Sequence, residues 1–240
     1  MATRYPFLIA LCTVGALAAC SKGPPPATTS APAAAPAPPA NVQANKALDL
    51  YRQLREQKNW ELAAPVGQEV VMKYPGSPAA GEVQRTLADT SAQAAAQTTH
   101  RRLERLWSYQ SGKESGGEQN TASIYSSDAT TGDRVRLILR RHSAWGQSAY
   151  LFGSGKGFDC RGTCSIAARF DDQPQKIKAY LPPTGEPALF INDDKAFIAK
   201  LHGAQKLSID VTEKGKASRT LVFEVGGFNA DKFPPLAKKK

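Results

Sequence analysis

No apolar run in this chain is long enough to cross a bilayer as a helix. The longest, residues 7–19, stops after 13 residues, where a spanning helix needs about 20. Histidine is scarce: His100, His142 and His202 are the only three, far apart and in unrelated contexts. No serine or cysteine sits in a strand–turn–helix nucleophile motif, so no hydrolase-like catalytic set emerges. Four cysteines are too few and too scattered for a zinc module, and no metal or cofactor is expected. Acidic residues are outnumbered, 21 against 31 Lys and Arg, for a formal charge of +10 and a pI near 9.5. Part of that surplus is Lys238-Lys239-Lys240 at the end of the chain.

Two acidic pairs, Asp171-Asp172 and Asp193-Asp194, are candidates for acid–base work or calcium ligation. Both stand in turn contexts, where Asp stabilises the turn or caps the next helix, and neither has calcium-loop spacing. Turn chemistry is the expected role. Residues 152–158, Phe-Gly-Ser-Gly-Lys-Gly-Phe, are glycine-rich but lack phosphate-loop spacing and do not open a helix. A hairpin loop is expected there, and Ser154, Lys156 and the nearby Arg161 are its candidate ligand-contact residues.

The amino terminus reads as an export signal. Arg4 precedes the apolar run, which ends in small residues as a cleavage site does. Leu17-Ala18-Ala19-Cys20 resembles the lipobox of bacterial lipoproteins. That resemblance implies a signal peptide over 1–19 and acylation of Cys20, since only a thiol accepts the lipid and two or three chains (palmitate among them) anchor stably. The alternative is an ordinary secretory leader with an unrelated cysteine. Ser21 stands where an inner-membrane retention signal would place Asp, and by the same resemblance this implies the outer membrane, facing the periplasm. Loss of the leader removes Arg4 alone and leaves +9. Nucleic acid is then not the expected partner; anionic lipid headgroups, peptidoglycan carboxylates or an acidic protein are better candidates, and a merely solvated basic surface with a mobile tail is the first expectation.

With Cys12 discarded and Cys20 acylated, Cys160 and Cys164 remain, separated by Arg-Gly-Thr. In an oxidising compartment a structural disulfide is expected; a metal site lacks two ligands, and redox pairs usually have two intervening residues. Residues 20–42 are Pro, Ala, Thr and Ser in the main. They cannot bury a core and form a tether reaching up to roughly 60 Å if extended.

Helical period follows over 43–106. Ala44, Ala47, Leu48, Tyr51 and Leu54 share one face. A second helix runs from Trp60 to about Tyr74 and ends at Pro75-Gly76. Ser77-Pro78 starts a third, as cap and first-turn proline; its middle, 91–97, has little to bury. Residues 47–88, with Tyr51, Leu54, Trp60, Ala63 and the turn Tyr-Pro-Gly-Ser-Pro-Ala-Ala, resemble a single tetratricopeptide-like unit.

Beyond Trp107 the period becomes two. Strands are expected at 121–125, 135–141, 148–152, 165–170, 176–181, 188–191, 206–211 and 218–225, with one helix at 194–201. Val135, Leu137 and Leu139 alternate with Arg134, Arg136, Ile138 and Arg140, a half-buried strand with a basic outer face. The expected fold is α+β: a helical segment, then an antiparallel β-sandwich over 107–234 with one small helix, then a basic tail at 235–240. The early Trp, the small disulfide, the arginine strand, the Phe-bearing helix and the closing "FEVGGF" resemble envelope β-sandwich proteins of the invasion-associated locus B type and the type VI secretion-associated TagO (VasI) type. The resemblance implies a non-enzymatic lipoprotein that binds an envelope protein or cell-wall component, as an accessory or assembly factor. A lysozyme-inhibitor or immunity-type lipoprotein is the second expectation, and a cell-wall-acting enzyme the third.

Overall fold

A computed structural model describes residues 39–127 and 134–236. The leader, Cys20, all but the end of the tether and residues 237–240 of the tail lie outside the described residues. Three helices come first: α1 (Ala40–Glu56), α2 (Trp60–Lys73) and α3 (Pro78–Glu104). α1 starts three residues before the expected 43, because Pro39 accepts the Val42 and Gln43 amides as its cap. Its 3.6-period face buries Ala44, Leu48, Tyr51 and Leu54. Tyr51 donates to or accepts from Thr86 and Thr90 of α3, at 2.9 and 2.8 Å. Gly67 of α2 admits the tyrosine ring; a Cβ there would stand 2.7 Å from it. At the start of α3, the Ser77 hydroxyl accepts the Ala80 amide, 3.1 Å, and Pro78 occupies the first turn. The middle of α3 is largely exposed, as its composition suggested. No described helix is long and apolar enough to cross a membrane.

Nine strands follow: β1 (Ser108–Glu114), β2 (Gly117–Tyr125), β3 (Arg136–His142), β4 (Gly146–Phe152), β5 (Thr163–Phe170), β6 (Gln173–Tyr180), β7 (Ala188–Ile191), β8 (Leu207–Thr212) and β9 (Ser218–Phe223), with α4 (Asp194–Leu201) between β7 and β8. The fold is α+β with an antiparallel sheet. The expected two-sheet sandwich is not what the pairing gives: the strands form one sheet in the order β1-β2-β3-β4-β7-β6-β5-β8-β9. Short β7 makes it continuous, pairing with both β4 and β6. β1 has no counterpart in the expected strands, since Ser-Tyr-Gln-Ser-Gly-Lys-Glu carries no apolar alternation.

The inward positions of both halves meet in one core. Leu137, Leu139 and Leu151 from one side pack with Leu207, Ile209, Leu221 and Phe223 from the other. The two ends of the sheet also approach each other: Ser127, just past β2, donates its amide (2.7 Å) and hydroxyl (3.2 Å) to the Val222 carbonyl of β9. The helices join this corner through Trp107, whose indole N–H donates to the Val225 carbonyl.

The segment between β4 and β5 is not the expected hairpin loop. β4 pairs with β3 and β7, and β5 with β6 and β8, so residues 153–162 cross between non-adjacent strands. Phe158 anchors the crossing, 1% exposed. Gly157 (φ 73°) lies against Pro187, where a Cβ would meet the backbone at 2.8 Å. Cys160 and Cys164 are joined by a disulfide at the mouth of β5. The acidic pairs do turn work: Asp171 accepts the Gln205 and Lys206 amides, and Asp193 caps α4 through the Ala196 amide.

Candidate ligand-binding face

Because Leu137, Leu139, Ala149, Leu151, Leu189, Ile177 and Ala179 point into the core, the alternate residues of β2 to β7 point out. The register aligns them across strands. Tyr125 stands opposite Arg136, which stands opposite Phe152; Thr121 opposite Arg140, and that opposite Ser148. Ile138 faces Tyr150, Tyr150 faces Phe190, and Phe190 faces Tyr180. β6 and β5 add Lys178, Lys176 and Arg169, all exposed. Outward positions of β2, β3, β4, β7, β6 and β5 carry no Asp or Glu. The face is bounded by Glu114 at the end of β1 and by Asp210 on β8, which Thr220 holds.

Aromatic rings organise the cations. Arg134 and Arg136 lie over the Tyr125 ring at 5.1 and 5.9 Å, and Arg140 lies between Trp145 (5.1 Å) and Tyr150 (5.3 Å). Tyr150 stacks on Phe190 at 4.6 Å, and Phe190 on Tyr180 at 5.6 Å. These rings remain accessible: Tyr125 is 49% exposed, Trp145 51% and Tyr180 38%, unusual for large apolar groups clustered on one surface. Burial pushes the Tyr150 hydroxyl above the usual tyrosine range, while the Arg140 and Arg136 guanidinium groups pull it down.

Not every arginine of β3 belongs to this face. Arg141 points the other way, donates to the Phe233 carbonyl at 2.7 Å and covers the Phe233 ring at 4.4 Å. Burial lowers its guanidinium from the ordinary arginine value. It ties the C-terminal segment to the sheet.

Ser154, Lys156 and Arg161 are exposed on the 153–162 crossing. Among the described residues, no hydrogen bond or ion pair joins their side chains to one another or to the arginine–aromatic face. The three histidines stay apart. His142 stacks on Trp145, His202 meets Phe228 edge-on, and His100 lies 4.0 Å from Glu104. Among the described residues, no cluster of His, Cys, Asp or Glu is arranged to hold a metal. Sequence reading found the arginines of this face and missed its aromatics. Their signal was there: Tyr125, Tyr150 and Tyr180 are large rings at solvent-side positions of alternating strands.

Compared with protein-family models, curated proteins and solved structures, the chain matches none.

Proposed function

We propose that this chain is a non-catalytic lipoprotein, anchored in the outer membrane through acylated Cys20 and facing the periplasm, whose β domain binds an envelope protein or cell-wall component. The carrying observation is the outward face of β2 to β7, where Arg136, Arg140, Lys178 and Lys176 are interleaved with exposed rings, and carboxylates (Glu114, Glu186) stand only at its border. Exposed cation–π contacts return only about 0.5–1 kcal/mol each, little against the repulsion of crowded like charges, whereas an anionic ligand with apolar surface is recognised by that combination. The leader, the Pro/Ala-rich segment after it and the Cys160–Cys164 disulfide agree with an exported, oxidising location. We read the curled sheet as sandwich-like, with β1 to β4 and β7 across one core from β5, β6, β8 and β9, in keeping with the proposed kinship to envelope β-sandwich proteins.

The reading is tested by placing a photoreactive side chain at Tyr125 or Tyr180 in the native cell and irradiating. The expected result is an adduct from either position and none from the exposed Met72 on the helices. Absence of any adduct at the face, in cells where the protein is abundant, would overturn it. Tracking the chain to the soluble fraction, unacylated, would overturn the anchor.

A further inference from the structure

We propose that the cleft of about 190 Å³ where β1, β2, β3 and β4 meet the outer face binds a carboxylate-bearing saccharide. This rests on the reading of the face as a ligand surface and names what that surface takes. Arg136 and Arg140 flank Ile138 on the cleft floor. Each has its Nε out of solvent and without an acceptor. Stacking holds these side chains: Tyr125 supports one, Trp145 and Tyr150 the other. Covered at Nε, each guanidinium is left to present its two terminal nitrogens. Among the described residues no carboxylate lies within 4 Å of either, and no protein acceptor takes those nitrogens. A guanidinium fixed this way is preorganised for the two parallel hydrogen bonds of a carboxylate.

The rest of the cleft selects the body of the ligand. The amide of Gln110 and the hydroxyls of Thr121, Ser123 and Tyr150 line it and, among the described residues, have no side-chain partner. Such an array suits the hydroxyls and amides of a sugar and is wasted on an apolar ligand. Trp145, half-exposed and held between His142 and Arg140, stands beside the cleft and reports on it. Glu114 stands at the rim, accepting from Gln119. Its negative charge disfavours a doubly charged phosphate more than a carboxylate, and its free lone pairs accept a sugar hydroxyl. Two cations, one carboxylate and a set of neutral polar groups match an acidic glycan better than a phosphorylated polymer or a purely anionic peptide.

The purified chain, as the cell makes it and kept in mild detergent, is titrated with three probes: peptide-free disaccharide fragments of peptidoglycan, whose lactyl carboxylate is free, neutral chitotetraose and polyglutamate. Fluorescence of Trp145 and calorimetry read the binding, with Trp145→Phe assigning the optical signal. The expected result is saturable binding of the peptidoglycan fragments, weakened about tenfold by Arg136→Gln and by Arg140→Gln, with melting temperatures unchanged. Arg140→Lys, which keeps the charge but loses the fork, is expected to recover only part of the loss. Glu114→Gln is expected to weaken the saccharide and strengthen polyglutamate. Equal affinity for chitotetraose, tighter binding of polyglutamate, or indifference to both arginine substitutions would overturn the proposal. A photo-adduct with a protein at Tyr125, together with no affinity for any saccharide, overturns it while leaving the ligand-face reading in place; no adduct and no binding removes both.

Discussion

The imidazole of His142 lies parallel to the indole of Trp145, 3.8 Å between centroids and 12° between planes. Its Nδ1 accepts the Ala144 and Trp145 amides, at 3.1 and 3.2 Å, so the proton sits on Nε2, which donates to the Glu114 carbonyl. One ring, 3% exposed, therefore shapes the β3–β4 turn, steadies the edge strand and supports the tryptophan under Arg140. His142→Ala removes two turn acceptors and the stack, an expected loss of about 2–3 kcal/mol. Urea denaturation measures it, and tryptophan emission should shift to the red. Wild-type stability would mean that the turn holds itself.

Glu213 is an inner ion pair. Its side chain is 4% exposed; Arg219 reaches it at 2.9 Å, and Lys216 at 3.7 Å. Removing the carboxylate takes away the acceptor that both cations share at a buried position, so Glu213→Ala is expected to cost about 1–3 kcal/mol. The double substitution with Arg219→Met should cost clearly less than the two singles added. Strict additivity in chemical denaturation would deny the coupling.

The disulfide closes a loop of five residues, so its chain-entropy contribution is about 2 kcal/mol. Cys160→Ser with Cys164→Ser should lower the urea midpoint by about 1 M, with unchanged slope. Matching curves for the oxidised and reduced wild type would show that the crossing is held by Phe158 alone.

Gly227 lies against the end of α3, where a Cβ would come within 2.2 Å of the Leu103 and Glu104 backbone. Gly227→Ala must push the helix from the sheet and should cost about 1–3 kcal/mol or more. Gly112 on β1 has open space around it, so Gly112→Ala is the matched control. Calorimetry should show a lower melting temperature for the first and little change for the second.

Arg102 holds Glu224 by two hydrogen bonds, at 2.7 and 3.1 Å, and that contact pulls the Glu224 carboxyl below the ordinary glutamate range. A carboxyl depressed in the folded state stabilises above its unfolded value and stops doing so as pH falls through its folded one. The stability gap between wild type and Glu224→Gln should thus be present at neutral pH and shrink below about pH 4. A gap that stays constant, or widens in acid, would rule the linkage out.

How much of this was readable beforehand follows from the range of each signal. The buried face of α1 and the bounds of α4 are local periodicities, and the sequence carries them openly. β1 was hidden because an edge strand with solvent on most of its residues needs no apolar alternation. The single sheet was hidden too: it depends on β7, whose pairings with β4 and β6 join segments far apart in sequence. The same holds for the ligand face. Arg134, Arg136 and Arg140 share one strand and were visible as a basic stripe, but Tyr125, Tyr150, Phe190 and Tyr180 reach them only through cross-strand register. Ser154, Lys156 and Arg161 stand out in the linear sequence instead, because glycine and lysine together are conspicuous without any register.

The bonds from Ser127 to the Val222 carbonyl and from the Trp107 indole to that of Val225 occupy backbone acceptors beside β9. A stray chain seeking to extend the sheet at that margin meets the Val222 oxygen already engaged, at the penultimate residue of β9. Recruitment is then left to the opposite margin, β1, whose polar residues, Lys113 and Glu114 make a poor template for fibrous growth.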